Sequence, residues 1–471
     1  MTLANTRNIS LEEMDKNSIL HPATSIVDHL RDGPTIMSEG KGIRLTDHTG
    51  RKFIDMCGGL WCMNIGYGRE EVGEAAARAM GKMGYYHLFA SQSNDYLPEL
   101  ADRVLNLLHT KGSAPHLSKM FFGTSGSDAN DTNVKLVRYY NMLRGKPEKR
   151  KFISRTGAYH GLTYAAASLT GIPAYHKAWD LPLDQVRHTQ CPHYYRFGET
   201  GETEADYTAR LLRELEGIIA EEGAANIAAF IAEPVMGTGG VFIPPAGYFE
   251  GVHNILKQND ILFIADEVIT GFGRTGSWFS TGAMNLKPDV VTLAKGITSA
   301  YFPMSASVIS DEIWETLKAA SPEWGPVMHG FTYSGHPVGA AVSMCVLDIM
   351  EREDLVTRCA DSGAYLLQQL KQKIGDHPFI GDIRGEGLMI AIELAADKAS
   401  RRWFPAEAGA HKIVSKHLRE KGIISRALPL IETLGISPAF TITQAEIDEA
   451  TDLYAEGLKA ATPELEKLAT V

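Results

Sequence analysis

Six short, almost wholly apolar runs recur through the middle of the chain, at 119–122, 151–154, 227–232, 261–265, 289–293 and 304–309. Each is followed by glycine-rich or polar residues and then by a stretch with helical spacing. A run without polar alternation suits a strand buried on both faces, and helical crossovers favour parallel neighbours. The pattern predicts a parallel sheet covered on both sides. The flanks read differently. Residues 36–58 alternate around the turn residues Asp47 to Gly50, which predicts a curled antiparallel element. Residues 355–375 and 405–421 have amphipathic helical spacing, and 387–394 is a further strand candidate. We therefore expect an α/β fold: a large domain over 65–330, and a smaller α+β domain assembled from both chain ends, 1–64 and 331–471.

A formal net charge of −11 gives no general attraction to phosphodiester backbones or anionic lipid, so neither nucleic acid nor a membrane is expected as a partner. The first 25 residues lack the apolar core of a signal peptide, and no apolar run approaches the length of a membrane span. Cys57, Cys62, Cys191, Cys345 and Cys359 are scattered without a CxxC pair, which argues against a disulfide framework or a metal cluster. A reducing, cytoplasmic location is the expectation.

In open parallel sheets, ligands gather beyond the carboxyl ends of the strands. After Phe122 comes GTSGSDAND, where Ser125, Gly126 and Ser127 lead into a helix and could hold an anion such as a phosphate; alone, the loop could equally be a plain helix cap. The next exit carries Tyr159 and His160, an aromatic that could stack on a flat group or simply pack. Glu233 follows 227–232, and the acids Asp266 and Glu267 follow 261–265, where burial is costly without a partner. Lys295, in DVVTLAKGITSA, is either a snorkelling strand-end lysine or an amine made nucleophilic by burial. Together, a lysine, an acid, an aromatic and an anion loop at the exits of one sheet match the needs of pyridoxal 5′-phosphate. Lys295 would hold its aldehyde as an imine, Asp266 would keep the pyridine nitrogen protonated, and the loop would hold the phosphate.

The run IADEVITGFGRTGSWF followed by KPDVVTLAKG resembles, in order and spacing, the signature of the class III, fold type I pyridoxal-phosphate-dependent aminotransferases. Within them the chain resembles the amine:pyruvate (ω-) transaminases, from LHPAT near its start to SRALP near its end. The resemblance implies Ser125, Gly126 and Ser127 as the phosphate loop, Tyr159 as the stacking aromatic and Val268 as the apolar contact on the other ring face. It implies Asp266 as the pyridinium partner, Glu233 as the acid near the ring and Lys295 as the Schiff-base lysine. Thr332 matches a threonine that reaches the neighbouring subunit's phosphate, which implies a homodimer with shared active sites and allows a dimer of dimers. Trp61, Phe89 and Ala90 match substrate-pocket positions, with Ala90 leaving room for a larger amine. Arg426 matches an arginine that clamps the carboxylate of a keto acid and swings away for an uncharged amine.

The implied activity is transfer of an amino group from a primary amine or ω-amino acid to pyruvate, through pyridoxamine phosphate. Two positions depart from relatives. Thr238 stands where ornithine and γ-aminobutyrate branches place a glutamate, which weighs against those donors, and Ala300 stands where many relatives have glycine. Aminomutases and decarboxylases on the same scaffold are the alternative reading. A dinucleotide oxidoreductase would need a G-x-G-x-x-G fingerprint that GTSGSDAND lacks.

Overall fold

The computed structural model describes residues 9–405 and 407–470. Its central sheet has seven strands: β1 (Leu117–Gly123), β2 (Lys151–Arg155), β3 (Val186–Thr189), β4 (Ile227–Ala232), β5 (Leu262–Asp266), β6 (Val290–Leu293) and β7 (Ser305–Ser310). They lie in the order β1-β7-β6-β5-β4-β2-β3. Every neighbouring pair is parallel except those of β7, which runs antiparallel to both β1 and β6. The reason is local. The link from β6 to β7 holds only the tight turn Lys295–Ile297, too short for the crossover that a parallel return needs.

Alternate residues of each strand enter opposite cores. Ile231, Ile264 and Val290 pack with Leu136, Val137 and Tyr140 of the helix Gly126–Leu143. Phe230, Phe263 and Val291 pack with Phe249 and Val252 of the helix Tyr248–Gln258. Sequence reading found six of the seven strands to within a residue or two and missed β3. That edge strand, Val-Arg-His-Thr, keeps its two middle residues half-buried and so shows no apolar run.

Two smaller sheets flank this core. Three antiparallel strands, Met37–Lys41, Arg44–Asp47 and Lys52–Asp55, are joined in parallel by Ile423–Ile424, so the two ends of the chain share one sheet. Gly42, at φ +59, makes the extra turn that divides the expected pair of strands into three. The second sheet runs Ile380–Glu386, Met389–Leu394, Thr433–Ile436 and Arg426–Ala427. The single strand expected at 387–394 is thus the second arm of a hairpin, with Gly387 in its turn at φ +55.

One buried cluster ties this second sheet to the large one. Glu393 is fully buried and accepts hydrogen bonds from Arg384 (2.6 Å), from Nε2 of His193 (2.9 Å) and from Arg196. Burial by itself raises the Glu393 carboxyl, but Arg384, His193 and Arg196 outweigh it and hold it at about 2. A carboxyl lowered on folding adds stability that is complete above its ordinary value of 4.5 and is withdrawn as the pH falls towards 2. Replacing Glu393 by Gln strands buried cations, so we expect a loss of about 3 kcal/mol or more. In thermal melts, the melting temperature of the parent protein should fall between pH 4.5 and 2 with a component that Glu393→Gln lacks.

Candidate active site

The carboxyl ends of β1, β2, β4 and β5, with the turn after β6, enclose a cavity of about 360 Å3. Ser125, Gly126, Ser127, Tyr159, His160, Glu233, Asp266, Val268 and Lys295 all line it. Nine residues singled out from sequence are therefore brought to one place.

The anion loop is preset by its own cap. Ser125 Oγ accepts from the amide of Asp128 at 3.1 Å, while the Asp128 carboxylate takes the amides of Thr124 and Ser125 at 2.9 and 3.0 Å. This capping box starts the helix Gly126–Leu143. Among the described residues, the amides of Gly126 and Ser127 donate to no protein group. Two donors at the positive end of a helix dipole suit an anion. Space is reserved as well: Gly161 sits at φ +123, where a Cβ would lie 2.4 Å from Ser127 Oγ and 2.8 Å from Ser127 Cα.

At the opposite end, Asp266 ends β5 with its carboxylate in a ring of donors. Oδ2 accepts from Asn130 Nδ2 and His160 Nδ1, both at 2.8 Å, and Oδ1 accepts from the amide of Val268 at 3.1 Å. Such an acid is held as an acceptor and oriented for a cationic ring nitrogen. Between the two ends stands Lys295, at φ +43 and two residues after the end of β6. Burial lowers its amine below the ordinary 10.5, and the facing acids Asp266 and Glu233 only partly offset this. Glu233 is pushed up by burial, yet its carboxylate accepts the amides of Tyr159 (3.0 Å) and Gly237 (2.8 Å). Tyr159 is thereby fixed at the cavity wall. The site fits a flat phosphorylated aldehyde: an anion cup, an amine of lowered basicity and an oriented acid.

Other residues lie elsewhere. Glu267, a candidate by its place beside Asp266, alternates to the opposite face of β5, where Thr270 and the amide of Thr281 satisfy it. Trp61 is 1% exposed and packs behind the cavity against Ile269, Met389 and Leu428; its neighbours Leu60 and Cys62 reach the lining instead. Phe89 and Ala90 line a separate groove with Met328 and Phe331, and the Thr332 carbonyl accepts from Tyr85 at 2.7 Å. Arg426 lies on the edge strand Arg426–Ala427, close enough to affect Lys295 and Tyr159 electrostatically. Thr238 is buried in the loop after β4 and does not line the cavity. Sequence reading missed Asn130, Leu60, Cys62 and the wall Phe302–Pro303–Met304. Of these, Asn130 was visible in GSDAND but reads there as one more polar helix residue.

A mainly parallel sheet with an anion cup after one strand, an aspartate ending another and a lysine after the next defines a fold type I pyridoxal-phosphate enzyme. Comparison narrows the class. Residues 28–458 match the model of the class-III aminotransferases, and the chain belongs to that family. It is 43% identical to the diaminobutyrate–2-oxoglutarate transaminase of Halomonas elongata over 94% of both chains. It is 42% identical to the mitochondrial γ-aminobutyrate transaminase 1 of Solanum lycopersicum, over 92% of this chain and 83% of the other. Its fold matches the ω-transaminase of Pseudomonas jessenii, solved in complex with pyridoxamine phosphate, with a TM-score of 0.92 and 40% identity over 97% and 99% of the two chains. Pyridoxal phosphate is its cofactor.

Two expectations follow from the backbone. Gly161→Ala drives a Cβ into Ser127, so cofactor affinity measured by fluorescence titration should fall about tenfold or more. Ala300, at φ +62, holds a conformation natural to glycine. Ala300→Gly should therefore stabilise the protein by about 1 kcal/mol in denaturant unfolding, since left-handed strain costs alanine about that much.

Proposed function

We propose that the protein transfers an amino group from a primary amine or ω-amino acid to pyruvate, giving a carbonyl product and alanine in two half-reactions. The observation that carries this reading is Arg426: among the described residues no ion pair or hydrogen bond engages its guanidinium, although it lies near Lys295 and Tyr159. Arg426 does not line the cavity itself, but a free guanidinium within electrostatic reach of Lys295 and Tyr159 is suited to a bidentate grip on the acceptor carboxylate. When it has no carboxylate to hold, it leaves the mouth of the cavity to an uncharged amine.

Bound pyridoxal phosphate supplies an aldehyde for the amine and a ring that withdraws electrons. The chain's residues divide the remaining work. Gly126 and Ser127 amides, with Ser125, hold the phosphate; Tyr159 and Val268 flank the ring; Asp266, backed by His160, keeps a proton on the ring nitrogen. Lys295 Nζ, made less basic by burial, would take a proton from the carbon bearing the donor amine and deliver it to the cofactor carbon that had carried the aldehyde. Phe89, Ala90 and Thr332 have no place in the cavity of their own chain, and a homodimer gives them one in the partner's. Their surroundings support this, since Phe89, Met328 and Tyr333 expose large apolar surfaces.

A second reading has its own support. The Halomonas elongata relative is named for 2-oxoglutarate, so a longer keto acid competes with pyruvate as the acceptor, while the Solanum lycopersicum relative is named for γ-aminobutyrate, a donor that Thr238 weighs against. A panel of donors assayed with pyruvate and with 2-oxoglutarate separates them. Alanine formed from pyruvate in step with consumption of an amine that lacks a carboxylate supports the proposal, while carbon dioxide release, or turnover with 2-oxoglutarate alone, overturns it. Arg426→Ala should raise the KM for pyruvate about tenfold or more and leave the KM of a carboxylate-free donor within about twofold. Lys295→Ala should abolish turnover.

A further inference from the structure

Asp266 is not held by its neighbours alone. Asn130 Nδ2 donates to Asp266 Oδ2 and to the carbonyl of His160, each at 2.8 Å, so both its hydrogens are used. Its Oδ1 in turn accepts from the hydroxyl of Thr292 at 2.8 Å, and that hydroxyl accepts from Asn133 Nδ2 at 2.8 Å. Thr292 is paired with Asp266 across β6 and β5, so both side chains leave the sheet on one face. Asn130 and Asn133 descend to meet them from one side of the helix Gly126–Leu143, three residues apart. Asn130, Asn133 and Thr292 are fully buried, and no solvent can substitute for a lost partner.

The chain of donors has only one direction. A threonine hydroxyl carries one hydrogen. Because it accepts from Asn133, that hydrogen goes to Asn130 Oδ1, and the amide must then turn Nδ2 towards Asp266. The opposite orientation would set Asn130 Oδ1 against Asp266 Oδ2 and the His160 carbonyl, three acceptors within hydrogen-bond distance and no donor among them. We propose that Asn130, locked by Thr292 and Asn133, is a positioning residue. It fixes Asp266 as an acceptor, and so determines how firmly the cofactor's ring nitrogen keeps its proton. The inference rests on Asp266 being the partner of that nitrogen, as proposed above.

The holoenzyme reconstituted with pyridoxal phosphate labelled with 15N in the ring gives a direct readout, because the nitrogen resonance reports its protonation apart from turnover. In Thr292→Val, which keeps the shape and removes the hydroxyl, the resonance should move towards the unprotonated position. There kcat should drop about tenfold, as expected for one hydrogen bond to a charged group, while KM values stay within about twofold. Thr292→Ser should restore both. Asn133→Ala, which removes the donor to Thr292 and a longer 3.4 Å bond from the same Nδ2 to Asn130 Oδ1 but leaves the Thr292 hydroxyl in place, should shift the resonance in the same direction by less, and it decides the matter if Thr292→Val does not fold. Parental resonance and kcat in Thr292→Val, or in Asn133→Ala where that variant decides, would overturn the proposal. Asp266→Asn distinguishes the two layers: if it leaves the resonance unchanged, the role given to Asp266 fails, whereas a shift there with none in the other variants refutes the relay alone.

Discussion

The site depends on one geometric constraint: parallel strands end on the same edge, and a sheet covered on both faces has no other place for polar chemistry. With Ile231, Ile264 and Val290 buried in one core and Phe230, Phe263 and Val291 in the other, a charge within a strand would have no partner. In β2, β4, β5, β6 and β7 charged residues stand only at strand ends. Five such ends meet here, and each contributes a different group: amides after β1, an aromatic after β2, an acid after β4, an acid ending β5 and an amine after β6. The reversal of β7 belongs to the same constraint, because the turn that carries Lys295 is too short for a crossover and must send the chain back antiparallel.

Each buried charge is offset locally. Burial acts against Lys295, Glu233 and Glu393 alike, yet the three are handled differently. Glu393 receives three cationic or cation-capable partners and becomes a structural tie between sheets. Glu233 receives two amides, enough to orient it but not to overcome burial. Among the described residues, Lys295 Nζ receives no hydrogen-bond partner, which leaves its amine available for chemistry. The degree of compensation separates groups that hold the fold from those that react.

The same distinction explains what could be read from sequence. Apolar runs marked six strands because both faces of a central strand must be apolar; β3 escaped because an edge strand has no such requirement. Lys295, Asp266 and the capped loop at Ser125 were legible because each lies within three residues of the end of an apolar run. Glu267 was misleading for the same reason, since position alone does not reveal which face a strand's last residues take. Asn130 and Thr292 were illegible because their significance lies in a pairing between β6, β5 and a helix 160 residues away in sequence, with nothing local to mark it.

The two sides of the cavity are built from different kinds of backbone, and this bears on what evolves easily. The cofactor side is made of strand ends and a helix N-terminus, held by the hydrogen bonding of regular structure. The other side is made of Leu60, Cys62 and the stretch 300–304. Its backbone carries Gly58, Gly59, Trp61, Ser299 and Ala300 at positive φ, and Gly58 approaches the carbonyl of Ser437 so closely that a Cβ would lie 2.4 Å from it. Irregular backbone of this kind is positioned by tertiary packing, in this case by the buried Trp61 behind it. A change of side chain there alters that wall of the cavity without touching Asp266, Lys295 or the phosphate loop. The cofactor side and the wall opposite it can therefore vary separately, and Trp61 is buried behind that wall against Ile269, Met389 and Leu428.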